Sequence, residues 1–319
     1  MLTLIIHNVS VVALNKLQVI GFGALNMDEF LVVDHLSRGE KVTVKDRQLF
    51  PGGSASNTIV GLSRLGIKTG LIGALGKDDY GKAIYRCLER EKVDLHGVVF
   101  KDGMTGRSIC IIDKRGSRSV FTETGVNDFL STDDIDFDWL VKADFLHFSS
   151  FGCVTSGQSF ETQKEVVNKT TMRISFHPSY SDIGRGMDRL VPIFRKAEIL
   201  FLSDKELAML TDEKDLKKGV KLLIQQGVKT LAVTRGKRGC FASDGTTVIS
   251  MPPQKAKVVD TTGAGDAFAA GFLYGFLKRR SLKECAFLGN VLAAYCIGQL
   301  GAQTGLPTYS NLKSKGYQL

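Results

Sequence analysis

The sequence contains no Cys-x-x-Cys pair and no Cys/His cluster. Its six cysteines (Cys87, Cys110, Cys153, Cys240, Cys285, Cys296) stand 11 or more residues apart. That spacing argues against zinc ligation. In a chain of 319 residues it predicts reduced, mostly buried thiols and a cytoplasmic protein. No segment reaches the roughly 18 uninterrupted apolar residues of a membrane span. The apolar start, 1–14, lacks a basic head and an Ala-x-Ala exit, and His7, Asn8 and Ser10 interrupt it. An extra strand or an early start codon accounts for 1–16 better than a signal peptide does. A dense basic patch is missing too. The net charge is +9, but the basic residues are scattered, with short clusters only at Lys217-Lys218 and Lys278-Arg279-Arg280. That argues against nucleic acid as a partner, whereas a nucleotide phosphate needs far less. No Pro/Ser-rich linker and no internal repeat divide the chain, so 17–319 is expected to be one domain.

What is present is a regular alternation. Compact apolar runs at 17–23, 69–74, 145–149, 172–176, 199–203 and 230–234 read as strands. Helix-length stretches such as 54–65, 79–91 and 214–226 fall between them, which predicts a three-layer α/β/α fold around a mostly parallel sheet. Two regions break the pattern, about 29–50 and 98–122. They alternate in polarity without interleaved helices, with a turn at Lys114-Arg115-Gly116. They are expected to form a small antiparallel β-sheet lid. The last apolar blocks, 265–277 and 282–300, read as two consecutive helices, the first buried on nearly every face.

Glycine-rich turns are the candidates for chemistry. A Walker A loop is excluded, because Gly76-Lys77, Gly81-Lys82 and Gly236-Lys237 are followed by Asp78, Ala83 and Arg238. Gly21-Phe22-Gly23 resembles a dinucleotide fingerprint, which keeps an NAD-dependent oxidoreductase as an alternative. Asn26 replaces its third glycine and a strand-like run follows, both against that alternative. Gly52-Gly53-Ser54 opens a helix, either as an ordinary turn with Ser54 as N-cap or as a close approach to a ligand. In Asp260-Thr261-Thr262-Gly263-Ala264-Gly265-Asp266, a glycine turn exposes unpaired N–H groups at the positive end of a helix. Asp266 is then either a dipole-favoured first-turn acid or a base beside an anion hole.

Taken together, these residues resemble the ribokinase-like, or PfkB, family of carbohydrate and nucleoside kinases over 17–307, in the family's order. The Asp260 to Asp266 stretch matches its C-terminal signature. Gly52-Gly53-x3-Asn57 with Arg64-Leu65-Gly66 matches its N-terminal one, and Asn26-Met27-Asp28 its sugar-binding Asn-x-Asp. Gly76-Lys77-Asp78-Asp79-Tyr80-Gly81 and Thr234-Arg235-Gly236-x2-Gly239 also sit where the family has such motifs. The resemblance implies an ATP–Mg²⁺ donor and a small sugar or nucleoside acceptor. It implies Asp266 as base and the amides of 263–265 (Gly263, Ala264, Gly265) as the anion hole. Asn26, Asp28, Gly52, Gly53 and Asn57 would hold the acceptor. Thr234, Gly236 and Gly239 would line the nucleotide, with Asn290, Gly301 and Ala302 near adenine. Glu206 would support Mg²⁺ through water, and many members bind K⁺ near the signature, which would engage Asp260 and Thr262. Pairing of lid edges would make a homodimer.

Some positions depart from the family. Its Asn-x-x-Glu is Ser203-Asp204-Lys205-Glu206 here, which implies weaker metal support and keeps a non-catalytic sugar- or nucleotide-binding regulator as a second alternative. Ser54 stands where ribokinase carries lysine, and Ser149-Ser150 where it has a ribose-contacting glutamate. His177 replaces a frequent strand-end Asp. These changes leave the sugar open and argue against ribose. His147 and His177 read as core or rim histidines outside the catalytic set.

Overall fold

A computed structural model describes residues 16–37, 39–115, 118–152 and 157–319. The apolar start (1–15), the turn residue Gly116 and Cys153 lie outside the described residues. The main sheet contains β1 (Val19–Phe22), β4 (Thr69–Gly76), β5 (Asp94–Lys101), β8 (Phe145–Ser149), β9 (Arg173–His177), β10 (Ala197–Ser203), β11 (Leu231–Thr234), β12 (Cys240–Ser243) and β13 (Val248–Met251). The smaller one contains β2 (Asn26–Val33), β3 (Val44–Gly52), β6 (Gly106–Asp113) and β7 (Arg118–Glu123). The helices longer than one turn are α1 (Ser54–Arg64), α2 (Asp79–Arg90), α3 (Gln158–Lys169), α4 (Met187–Lys196), α5 (Asp204–Thr211), α6 (Leu216–Gln225), α7 (Ala264–Leu277), α8 (Leu282–Cys296) and α9 (Tyr309–Ser314).

The main sheet runs β13-β12-β11-β10-β9-β8-β1-β4-β5. It is parallel except for β12 and β13, which close one edge as an antiparallel hairpin. Its central strands are apolar on both faces because both faces are covered. Val19 and Ile20 show this directly. Val19 packs with Phe145, α1 and α7, and its neighbour Ile20 packs on the opposite side with Leu146, α3 and α4. The strand order reverses at β1, which lies between β4 and β8. In open α/β sheets the crevice beyond the strand C-termini at such a reversal is where ligands bind.

The small sheet has the order β3-β2-β6-β7. Its outer pairs are antiparallel and its central β2/β6 pair is parallel. The chain enters it twice in the same direction, from β1 into β2 and from β5 into β6, and this makes the middle pair parallel. Its second segment begins at Gly106. Residues 98–101, expected in the lid, pair instead with β4 as part of edge strand β5.

α7 buries every residue from Asp266 through Gly275. It crosses α8 so closely that a Cβ on Gly271 would meet the Leu288 carbonyl oxygen at 2.3 Å. A buried apolar helix of this kind fixes its first turn rigidly. The signature acid sits in that turn.

Candidate active site

The ends of the parallel strands converge on the N-terminus of α7. Gly263 caps this helix with φ +74, and a Cβ there would meet Ala302 Cβ at 2.4 Å, so the turn requires glycine on two counts. No side chain caps the helix, and its leading N–H groups have no intrahelical acceptor. The Ala264 N–H makes a long turn bond, 3.3 Å, to the Thr261 carbonyl.

Asp266 is buried in the first turn. Its Oδ1 accepts from Ser54 Oγ at 2.6 Å and its Oδ2 from Asn57 Nδ2 at 2.8 Å. Asn57 is itself oriented, because Gln303 Nε2 donates to Asn57 Oδ1 at 3.0 Å and leaves the Asn57 amide nitrogen to face the acid. The loop carrying Gln303 is clamped in turn by Arg64, whose Nη1 donates to the carbonyls of Gln303 (2.7 Å) and Leu306 (2.8 Å) while Glu91 takes its other edge. Burial raises the proton affinity of the Asp266 carboxyl. His177, Asn57 and Ser54 pull it back, and Glu206 pushes it further up.

Asp28 is the second buried acid, on β2 opposite Phe50 and Ser108. Its pKa is raised to about 7, first by burial and then by repulsion from Asp266 and Asp260. A Cβ on Gly52 would fall 2.2 Å from Asp28 Oδ2, and Gly53 has φ +100 with the Ala24 carbonyl 2.1 Å from its would-be Cβ. The double glycine therefore makes room for Asp28 and for the sharp entry into α1. Gly52→Ala should push the carboxylate aside at a cost of about 1–3 kcal/mol. An unchanged melting temperature would remove Gly52 from that role. Asn26 Oδ1 accepts from Asn127 Nδ2 at 2.9 Å. The fully buried Asn127 amide also brackets the N–H and carbonyl of Leu25, which pins the passage from β1 into β2.

A cleft of about 520 Å³ opens on the other side of the α7 N-terminus. It is lined by Thr234, Gly236, Gly239, Ala264, Gly265 and Asn290 together with the 253–256 segment and Phe268. Gly301 and Ala302, expected near adenine, are absent from its walls. Gly301 N–H donates to Asp260 Oδ2 at 3.0 Å, and Ala302 packs on Gly263. The other oxygen of Asp260 accepts from Thr262 N–H (3.0 Å) and Thr262 Oγ1 (2.8 Å). The carbonyls of Thr262 and Ala302 are both reached by Cys296 Sγ, at 3.4 and 3.3 Å. The small sheet touches this loop at two points: a Cβ on Gly301 would meet Phe50, and Arg118 Nη1 lies 3.9 Å from Asp260 Oδ1.

Glu206 is buried at the start of α5 in a reciprocal cap. Its Oε2 accepts from Ser203 N–H at 2.7 Å, and Ser203 Oγ accepts from Glu206 N–H at 3.2 Å. Ser203 thus has a structural job as helix cap. Among the described residues no three His, Cys, Asp or Glu side chains form a metal cluster. An Mg²⁺ ion held chiefly by phosphates and water needs no such cage. Asp78 caps α2 through Gly81 N–H (2.8 Å) and binds Thr105 N–H (2.7 Å) and Oγ1 (2.6 Å), tying that corner to the strand that enters the small sheet.

Two residues in contact with Asp266 escaped sequence reasoning. Ser54, expected as an N-cap, is the first residue of α1, with Gly53 as cap and its hydroxyl on Asp266. His177 faces Asp266 across 3.6 Å. His147, by contrast, is a core residue bonded to Ser175 Oγ at 2.9 Å, its pKa lowered to about 3, chiefly by burial.

A buried acid in the first turn of α7, a second buried acid on β2 of the small sheet and a cleft walled by the start of α7 thus lie together at the strand ends of an α/β fold. The chain belongs to the pfkB family of carbohydrate kinases, whose family model matches residues 16–309, so it is a kinase acting on an alcohol group. It is 39% identical over 248 residues to an uncharacterized sugar kinase of Archaeoglobus fulgidus, spanning 78% of this chain and 98% of that one. It is 30% identical over 293 residues to an ATP-dependent ribose-1-phosphate kinase of Halopiger xanaduensis, spanning 90% and 94%. Among solved structures, a ribokinase from Thermotoga maritima superposes with TM-score 0.83 at 26% identity, covering 93% of this chain and 98% of that one.

Proposed function

We propose that this chain transfers the γ-phosphoryl group of ATP to a hydroxyl of a small sugar or sugar-like acceptor, with Asp266 as general base. The observation that carries this reading is the placement of Asp266. It stands in the first turn of α7, its carboxylate held by Ser54 and Asn57, next to Ala264 and Gly265 of the 520 Å³ cleft and near enough to Asp28 for mutual repulsion. Asp28, with Asn26, Gly53 and Asn57 around it, accepts hydrogen bonds from acceptor hydroxyls, since one carboxylate serves two donors. Asp266 orients one hydroxyl and takes its proton. The N–H groups of 263–265 receive the charge that grows on the transferred oxygens. Glu206 would back an Mg²⁺ ion bound with the nucleotide phosphates, which would supply further neutralisation of negative charge. Thr234, Gly236 and Gly239 border the phosphates and Asn290 the base.

The small sheet closes over the acceptor and keeps water out, limiting ATP hydrolysis. Its exposed Val44, Leu49, Val120 and Phe121 support pairing of two copies through it. K⁺ at Asp260 and Thr262 would steady the loop that packs on Gly263. Free thiols at the five described cysteines and the use of ATP favour the cytoplasm. The test is ADP-coupled screening of sugars, sugar phosphates and nucleosides, in K⁺ and in Na⁺. Acceptor-dependent ADP release, higher in K⁺, is the expected result. Binding of nucleotide without ADP release across the whole panel would overturn the catalytic reading.

A further inference from the structure

The acid at the centre of this site has an unfavourable neighbourhood. Glu206 on α5 raises the proton affinity of Asp266, and Asp28 on β2 repels it. From α1 it meets only the neutral Ser54 and Asn57, and from α8 the thiol of Cys296 lies within its field. Among the described residues, the group facing it that can carry positive charge is His177, at the end of β9. Its Nδ1 lies 3.6 Å from Asp266 Oδ1, with the two side chains 15% and 12% exposed. That nitrogen is buried and has no hydrogen-bond partner. The ring stands over Gly265, where a Cβ would meet its Cε1 at 3.4 Å and Nε2 at 3.6 Å, and Phe201 of β10 packs edge-on against it. His147 on β8 is the other imidazole in its field, and burial keeps that one neutral. The imidazole therefore packs at van der Waals distance on the first turn of α7.

We propose that His177 is a positioning residue for the transfer: its imidazole, facing Asp266 across the first turn of α7, supplies the positive charge that keeps that carboxylate ionised and turned toward the acceptor hydroxyl. The role rests on the reading of Asp266 as base. The proton taken from the acceptor goes to Asp266, and His177 acts only through it.

The test uses the full-length, unliganded protein with ¹³C-labelled aspartate, comparing the NMR titration of Asp266 in wild type, His177→Asn and His177→Phe. Both variants should move that titration upward by about one pH unit, and His177→Lys should return it toward wild type. In turnover, the acid limb of the kcat–pH profile should move by the same amount. At the foot of that limb kcat should fall about tenfold, with the KM for ATP unchanged. A purely structural histidine would change the melting temperature without moving the titration. An Asp266 titration that stays in place in the folded Asn and Phe variants overturns the proposal. A shifted titration in a chain that phosphorylates no acceptor would leave the His177–Asp266 coupling standing and overturn the base assignment instead.

Discussion

Asp266→Asn should lower kcat by about 10²–10⁴ while changing the acceptor KM by no more than a few-fold. The split follows from what the acid touches. In the proposed mechanism Asp28, Asn26 and Asn57 hold the acceptor in the ground state, whereas Asp266 acts mainly when the hydroxyl proton is leaving, and a group that acts only then affects kcat. The amide is also isosteric, so Ser54 Oγ and Asn57 Nδ2, at 2.6 and 2.8 Å, keep a polar partner. Burial raises the proton affinity of the native acid, so a neutral side chain there costs no stability and the melting temperature should hold or rise. ADP-coupled turnover and thermal unfolding of the same preparation check both halves. Near-normal turnover would place the base elsewhere.

Much of this was legible in the chain, for identifiable reasons. The central strands β8 and β10 are apolar on both faces because helices cover both, and such runs stand out. β5 was misplaced because, at the edge of the main sheet, 99–101 is only partly buried and leads within a few residues into the small sheet, so it reads as continuous with it. The acid of the signature is announced by its own glycines. Its partners are not: Ser54 lies 212 residues away and joins it only through the fold. Ser203 illustrates a different failure. Against a kinase motif it looks like a lost asparagine, yet Ser203-Asp204-Lys205-Glu206 is also the Ser-x-x-Glu of a capping box, a signal present in the sequence itself. The loop at Gly301 shows the limit of order along the chain. It follows Asn290 closely, but Gly301 N–H donates to Asp260, and neither Gly301 nor Ala302 is among the cleft's lining residues.

Asp28→Asn should stabilise the protein above neutral pH while weakening acceptor binding. The native carboxyl has a pKa near 7 where an unfolded aspartate has 3.8, so between those values the folded chain binds a proton that the unfolded chain has released. Stability contributed by that proton is fully present below about pH 4, falls as pH rises through the window, and is gone above about pH 7. The loss is on the order of a few kcal/mol, large against the total stability of a domain. The wild-type melting temperature should therefore decline from pH 5 to pH 8 more steeply than that of the variant, and the variant should melt higher at pH 8. Function runs the opposite way. In the proposed mechanism the ionised form accepts two hydrogen bonds from acceptor hydroxyls, so the wild-type acceptor KM should fall as pH approaches 7 and level off above it. The variant should show a KM raised about 10- to 100-fold with little pH dependence, the loss of one or two charge-assisted hydrogen bonds. Parallel melting curves for the two proteins across that range would mean that the buried acid carries no such strain. If they diverge as described, the pocket holds a charge that its own fold disfavours and that an acceptor's hydroxyls relieve.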